Sequence, residues 1–213
     1  VRFRFEKILW SPDSRQVVTK ILGVGQTLDG CFDGGAGQRS FDPSSRTVYE
    51  AQVQDRRLPA SMTLSLSDLA MLDVATGKLK RIVQQKMIVG YSLSPAGDKI
   101  AFSSPKRLKP GDQYLLVYDL VVVSLSDQRI KTVSDFSPGI PSLPVSWSPD
   151  SRSLAFLSNR ECFVWDLKAT QPKKVTSSPP TGFSQPPLWD KEGGLIYLPG
   201  DNKIWRVSIA DAK

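Results

Sequence analysis

Apolar and polar residues alternate over short stretches of this chain, and glycine, proline and serine separate the stretches. The longest apolar run, Leu115–Val123, is rich in β-branched residues and is interrupted by one aspartate. A period of two is typical of strands, and no helical period competes with it over a useful length. The pattern predicts an all-β chain of short strands joined by tight turns.

One six-residue sequence, Trp-Ser-Pro-Asp-Ser-Arg, occurs twice, beginning at Trp10 and Trp147, and stretches beginning at Leu93 and Trp189 align with it without gaps. Proline at the second turn position presets φ, and serine or glycine at the fourth tolerates a left-handed conformation. Each copy is therefore predicted to form a strand, a tight turn and a second strand. The residues that define this structural repeat are Trp10, Pro12, Asp13, Leu93, Pro95, Gly97, Trp147, Pro149, Asp150, Trp189 and Gly193.

The residues after each turn align as well. One apolar column holds Val17, Ile100, Leu154 and Ile196, and the next-but-one column holds Thr19, Phe102, Phe156 and Leu198. A second pair of strand-like stretches follows in most copies. Four strands per unit, repeating roughly every 40 residues, are typical of a β-propeller blade. The sequence therefore predicts a β-propeller of four-stranded antiparallel blades, with about four blades present as part of a larger ring.

The predicted units cover residues 6–84, 85–135, 143–178 and 185–213 of a single propeller region, 1–213, and the first carries a long insertion at 20–62. The fourth unit lacks an outer strand, whereas Val1–Phe5 is a surplus alternating strand before the first. That strand either completes the fourth unit in a compact four-bladed ring or belongs to a preceding blade. We expect the second, because the chain begins without Met and resembles a processed product or a fragment.

The sequence contains no histidine, which excludes Ser-His-Asp and Cys-His catalysis and zinc bound by histidine. Its two cysteines, Cys31 and Cys162, do not make a disulfide framework or a CxxC zinc motif. Cys162 lies in an apolar stretch and is predicted to be a buried thiol. We expect no metal site and no cofactor.

The formal net charge of +7 raises nucleic acid as a partner. Aromatic residues are not interleaved with the cations as a base-stacking surface would need. The cations are instead predicted to lie in turns and outer strands of different units, as solvated edges. They are Lys78, Lys80 and Arg81, then Lys106, Arg107 and Lys109, and then Lys173 and Lys174. Nucleic-acid binding is therefore not expected.

No apolar run approaches the roughly 20 residues that span a bilayer, so a membrane partner is not expected. The first residues also lack the layout of a signal peptide. The compartment stays open between the cytoplasm and a periplasmic or secreted location.

A glycine-rich stretch, Gly23–Gly37, invites a nucleotide-binding interpretation, but it lacks the Gly-Lys-Ser/Thr ending of a P-loop. Asp29 and Asp33 lack the ligand spacing of an EF-hand. A flexible insertion loop is expected here, and inserted loops are where propellers place specific contacts. The candidates for contact with a substrate or partner are Arg39, Arg46, Glu50, Arg56 and Arg57.

The repeat resembles the WD-like propeller repeat of the TolB type, whose signature is an apolar or aromatic residue, Ser-Pro-Asp-Gly, a charged residue and an apolar strand. A similar repeat builds the N-terminal propeller of the prolyl oligopeptidase family of serine peptidases. The first unit is most similar to the dipeptidyl peptidase IV-like branch of that family. There, Trp-Ser-Pro-Asp-Ser precedes a long excursion and a run like Leu58–Leu79, which here contains Asp73-Val74-Ala75-Thr76-Gly77-Lys78.

The chain departs from that family in its chemistry. It has neither the GxSxG nucleophile elbow nor the distal histidine of the catalytic domain. The paired glutamates that hold a substrate's amino terminus are also missing, since Glu50 stands alone. The resemblance therefore implies a propeller without its hydrolase, and we expect no enzymatic activity from this chain.

Two functions follow from the resemblance. The first is the non-catalytic propeller portion of a prolyl oligopeptidase-like serine peptidase, gating or positioning peptide substrate for a hydrolase domain elsewhere in the parent chain. The second is a TolB-like propeller that serves as a protein–protein interaction platform. The insertion and the run Leu69–Gly77 favour the first. In both, the partner is a peptide or a protein.

Overall fold

The computed structural model describes residues 8–22, 66–108, 116–136, 145–159, 161–175, 186–200 and 203–209. Within these ranges the chain forms fifteen strands and no helix, arranged as antiparallel sheets in which consecutive strands are neighbours. This confirms the all-β prediction. Accordingly, the described part of the chain offers no helical segment with the length and hydropathy to cross a membrane.

Three of the sheets have four strands and are referred to as blades 1, 2 and 3. Blade 1 contains β1 (Leu9–Trp10), β2 (Gln16–Leu22), β3 (Leu66–Asp73) and β4 (Leu79–Met87). Blade 2 contains β5 (Gly90–Leu93), β6 (Lys99–Leu108), β7 (Leu116–Ser124) and β8 (Ile130–Phe136). Blade 3 contains β9 (Val145–Trp147), β10 (Ser153–Ser158), β11 (Glu161–Asp166) and β12 (Lys173–Lys174).

The fourth sheet, blade 4, has three strands among the described residues: β13 (Leu188–Trp189), β14 (Leu195–Gly200) and β15 (Lys203–Ser208). Residues Val1–Phe5, proposed above as an outer strand, lie outside the described residues, and so does Cys31. The choice between a four-bladed ring and a longer one therefore stays a prediction.

The repeat places the same columns opposite each other in every blade. The large residue before each turn pairs with the first apolar column of the following strand: Trp10 with Val17, Leu93 with Ile100, Trp147 with Leu154 and Trp189 with Ile196. Identical register in four sheets means that equivalent residues can be compared directly between blades.

Consecutive blades pack face to face, as in a propeller. In β7, Val121 and Val123 join a buried cluster with blade 1, whereas Leu120 and Val122 join a cluster with Trp147 and other blade 3 residues. A third cluster joins blades 3 and 4. Because both faces of β7 are covered, its sequence is almost continuously apolar.

Trp10 differs in its packing from the other two repeated tryptophans. Trp147 is 8% exposed against blade 2, and the Trp189 indole N–H donates to the Ser146 carbonyl of blade 3 at 3.1 Å. Trp10 is 57% exposed. The inner-strand residue of each blade packs on the blade before it, and blade 1 has no such neighbour among the described residues.

Candidate functional site

The repeated turns are closed by their own side chains. The Ser11 hydroxyl accepts from the Gln16 N–H at 2.8 Å and donates to Asp13 Oδ1 at 2.6 Å. In blade 3 the equivalent bonds, from the Ser153 N–H to Ser148 and from Ser148 to Asp150, measure 2.9 and 2.6 Å. The hydroxyl donor is the main reason that the pKa values of Asp13 and Asp150 lie below the ordinary value of 3.8.

The fourth residue of every turn adopts a left-handed conformation, with φ of 57° at Ser14, 72° at Gly97, 60° at Ser151 and 73° at Gly193. In blade 2, Pro95 is followed by Ala96 instead of aspartate, and Ser94 donates to Asp98 at 2.9 Å. These contacts give the predicted repeat residues a structural role, because the turn satisfies its own polar groups.

Neighbouring turns also touch. A Cβ added to Gly97 would lie 2.7 Å from Pro12 Cδ in blade 1, and one added to Gly193 would lie 3.7 Å from Pro149 Cδ in blade 3. Between blades 2 and 3, the Ala96 N–H donates to the Ser151 hydroxyl at 2.9 Å. The turns of successive blades therefore form a continuous row at one end of the sheets.

Lysines on the outer strands connect blade 1 to blade 2 and blade 2 to blade 3. Lys80 of β4 donates to the Leu125 carbonyl of blade 2 at 3.2 Å, and Lys131 of β8 donates to the Leu167 carbonyl of blade 3. These lysines occupy equivalent positions in the register, opposite Met71 and Val122. Lys80 lies on the outer strand β4 and is exposed, as predicted, and its ammonium group also makes a blade-to-blade hydrogen bond that was not predicted.

Two further cations differ from their predicted positions. Lys106 and Arg107 lie on the second strand of blade 2, β6, and not in a turn or outer strand. Lys106 lies 3.6 Å from both Asp119 and Asp135, and Arg107 lies 3.1 Å from Asp135. In blade 1, Arg81 pairs with Asp68, whose side chain is fully buried. Lys109 lies outside the described residues.

A groove of about 270 Å³ opens between blades 2 and 3, and we refer to it as the interblade groove. Buried Val122 and Leu167 form its apolar floor. Its lining residues are Lys99, Val122, Ser124, Asp127, Arg129, Lys131, Arg152, Leu167 and Lys168. Five cations thus face one carboxylate around an apolar floor.

The groove lies at the end of the blades that carries the repeated turns. Lys99 follows the β5–β6 turn, and Arg152 belongs to the β9–β10 turn. Consecutive antiparallel strands alternate in direction, so the connection from Leu22 to Leu66 that carries the insertion leaves blade 1 at the opposite end. Arg39, Arg46, Glu50, Arg56 and Arg57 belong to this connection and lie outside the described residues.

The two arginine ion pairs at the groove are exposed. Arg129 Nε lies 3.1 Å from Asp127 Oδ2, and Arg152 Nε lies 3.9 Å from Asp150 Oδ2, with arginine side chains 84% and 73% exposed. Hydrogen bonds from the Ser124 side chain and the Arg129 N–H lower the pKa of Asp127. Pairs this exposed contribute little, so an external carboxylate can compete for the guanidinium groups.

Sequence reasoning missed the groove. A signal was present, because Lys99, Arg129, Lys131, Arg152 and Lys168 all flank turns that the repeat aligns. Among the described residues, no group of three or more acidic, cysteine or histidine side chains could hold a metal ion. The chemistry that this arrangement offers is the recognition of an anionic group beside an apolar one.

Comparison with known proteins gives structural similarity at low sequence identity. TolB from Acinetobacter baumannii is 17% identical over 98% of this chain and 55% of its own, with a TM-score of 0.47. A TolB-type structure from Agrobacterium tumefaciens is 14% identical over 98% and 59%, with a TM-score of 0.49. An acylaminoacyl peptidase from Pyrococcus horikoshii is 20% identical over 48% and 15%, with a TM-score of 0.38.

No family model and no curated protein sequence matches the chain. The chain spans 55% and 59% of the length of the two TolB-type structures. At these identities and TM-scores the similarities carry no argument about function. The propeller architecture rests on the register of the sheets and on their face-to-face packing.

Proposed function

We propose that this chain is a non-catalytic β-propeller module that binds a peptide segment of a protein partner, with the interblade groove as the contact. The observation that carries the proposal is a concave surface with an apolar floor and convergent polar groups. Such surfaces are the default binding sites of folded domains. At about 270 Å³ the groove is slightly smaller than the roughly 300–1,000 Å³ of small-molecule pockets, and it suits a few side chains of an extended peptide.

The remaining chemistry supports binding and not catalysis. The sequence has no histidine. Burial raises the pKa of Cys162 to about 12, so its thiol stays protonated near neutral pH and is a poor nucleophile. The repeat hydroxyls of Ser11 and Ser148 are held by turn aspartates and backbone N–H groups.

A peptide selection tests this proposal without assuming the peptide's charge. Random peptides displayed on phage would be selected against the full chain, and enriched peptides would be titrated into protein labelled at methyl groups. We expect shift changes at the Val122 and Leu167 methyls, with the exposed Ile204 of blade 4 as the unaffected control. Enriched peptides that shift methyls elsewhere and leave the groove unchanged would contradict the proposed contact.

A second candidate is the substrate-gating propeller of a prolyl oligopeptidase-like serine peptidase. The run from Leu69 to Lys78 supports it, because this part of the resemblance forms β3 and a tight turn in which Asp73 accepts from the Thr76 N–H at 2.8 Å. The gene sequence on both sides of this region tests it. A downstream GxSxG motif and a late histidine would support the peptidase, and their absence would leave the binding module.

A further inference from the structure

We propose that the interblade groove recognises an acidic peptide segment, in which one or two carboxylates flank an apolar side chain. This inference rests on the proposed function and names the chemistry of its partner. The apolar side chain would pack on Val122 and Leu167, and the carboxylates would pair with the cations at the rim.

The repeat provides an internal control for the charge of the groove. Some of the cations are required by the scaffold, because Lys131 of the groove and Lys80 of the preceding junction make the same blade-to-blade bond. A cation found at both junctions does not indicate a ligand. The charges that matter are those found at one junction only.

Three cations of the groove have no counterpart at the junction of blades 1 and 2. The Leu125 N–H donates to the Asp98 carbonyl just as the Leu167 N–H donates to the Arg152 carbonyl, so Asp98 stands where Arg152 stands. The residue after Leu125 is a serine, where blade 3 has Lys168. The fold therefore tolerates an acidic or neutral residue at these positions.

Lys99 shows the same difference. Lys99 lies opposite Ser124 in the strand register of blade 2. The equivalent residue of blade 1 is Gln16, which lies opposite Asp73. Lys99 also lies 2.5 Å from Asp98, and hydrogen bonds from Lys99 and Ser94 outweigh the effect of burial and lower the pKa of Asp98. Blades 2 and 3 therefore carry cations at three positions where the preceding junction carries none, and one of the three, Lys99, is already paired with Asp98.

The lining favours an acidic peptide over nucleic acid. The described lining residues include no phenylalanine, tyrosine or tryptophan, so they offer no surface on which a base would stack. Its floor is apolar and accommodates an aliphatic side chain, which a nucleic acid lacks. Charge complementarity and an apolar floor together match a carboxylate-bearing segment.

The test compares a variant of the groove with a variant at the equivalent position of blade 1. Arg152 and Arg15 end the same six-residue sequence in blades 3 and 1, and both side chains leave the turn for solvent. The double variant R152E/K168E alters the groove, whereas R15E changes the same position away from it. Both alter exposed residues, so we expect their stability to stay within about 0.5 kcal/mol of wild type.

Fluorescence anisotropy would follow a labelled peptide with one leucine between aspartates and glutamates, added to the full chain. We expect wild type and R15E to bind it alike, R152E/K168E to bind at least about tenfold more weakly, and affinity to fall as salt rises. The matched peptide with asparagine and glutamine should bind at least about tenfold more weakly to wild type.

Three outcomes would overturn the inference. If the amide peptide binds as tightly as the acidic one, the groove selects apolar side chains alone. If single-stranded oligothymidylate binds more tightly, the site is for nucleic acid. If R152E/K168E binds the acidic peptide like wild type, the cations are not the contact. In the first case peptide selection still maps to the groove, so the proposed function survives although its acidic preference fails.

Discussion

At the scale of single residues, the contact between Pro12 and Gly97 shows how one turn constrains the next blade. Gly97 has φ of 72°, and a Cβ on it would lie 2.7 Å from the rigid pyrrolidine ring of Pro12. Gly193 has nearly the same φ, but a Cβ added to it would lie 3.7 Å from Pro149 Cδ. Both glycines therefore need a left-handed backbone, but only Gly97 also lacks space for a side chain.

We predict that Gly97→Ala destabilises the chain more than Gly193→Ala. Both substitutions cost about 1–2 kcal/mol because alanine disfavours a left-handed backbone. Gly97→Ala adds about 1–3 kcal/mol because the Pro12 ring must move. Urea unfolding of the two variants measures the difference. In a Pro12→Ala background that difference should shrink, and an unchanged difference would show that the contact with Pro12 is not its cause.

Cys162 illustrates how burial controls reactivity. Its side chain is inaccessible in β11, and burial raises the pKa of its thiol to about 12. We predict that iodoacetamide at pH 8 modifies Cys162 at least about 100-fold more slowly in the folded chain than in urea. Peptide-resolved mass spectrometry separates this site from Cys31. Equal rates in both conditions would mean that the strand opens readily or that the thiol is accessible.

At the scale of elements, the turn between the first two strands of each blade is a hydrogen-bonded unit that tolerates exchange of its parts. Blade 1 takes its carboxylate from Asp13, blade 2 takes it from Asp98, and blade 4 replaces the serine with Asp190, which accepts directly from the Gly194 N–H at 2.8 Å. All four blades keep a side-chain oxygen at the first turn position that accepts a backbone N–H, from the fifth residue on in blades 1 to 3 and from the fourth in blade 4.

The turn aspartates predict a specific acid sensitivity. Asp13 and Asp150 have pKa values lowered below 3.8, chiefly by the hydroxyl donors Ser11 and Ser148. A lowered pKa in the folded state means that stability is present above the unfolded value and is lost as pH falls through the folded value. We predict that melting temperature falls below about pH 4, and that Asp13→Asn/Asp150→Asn flattens this fall. Calorimetry from pH 7 to pH 2.5 measures both curves, and parallel curves would contradict the assignment.

Much of this fold could be predicted from the sequence, because the repeat specifies both the turn and the register of the strand after it. Four-stranded sheets follow from alternation and turn residues, which are local properties. The interblade groove is different, since Lys99 and Arg152 meet only through the packing of one sheet on another. The lysine bonds from β4 and β8 also depend on that packing, so the sequence predicts the outer-strand position of Lys80 but not its bond to blade 2.

At the scale of the whole molecule, blade 1 differs from blades 2 and 3 because one of its apolar faces is exposed. Blades 2 and 3 bury residues on both faces, whereas blade 1 leaves Ile8 and Trp10 each 57% exposed and Val74 49% exposed. The residue equivalent to Val74 in blade 3, Leu167, is 9% exposed. The same positions are thus apolar in both blades but covered in only one.

We predict that this face of blade 1 pairs with a second copy of the chain at high concentration, because a blade of the same repeat presents a complementary apolar face. Sedimentation velocity should show concentration-dependent association of wild type. The variant Trp10→Glu/Val74→Glu should sediment as a monomer at the same concentrations. Wild type that stays monomeric would contradict the prediction, and Arg129→Glu, in an exposed turn of blade 2, changes the net charge by the same amount and serves as a control.

Successive hairpins lie at opposite ends of each blade, and this has a practical consequence for studying binding. The hairpin between Ser158 and Glu161 leaves blade 3 at the end away from the interblade groove, and β10 has six residues. At about 3.3 Å per residue, roughly 20 Å separate that hairpin from the turn that carries Arg152. A fluorophore or an affinity tag inserted there would report on occupancy of the groove, or tether the protein to a sensor surface, without touching the bound molecule.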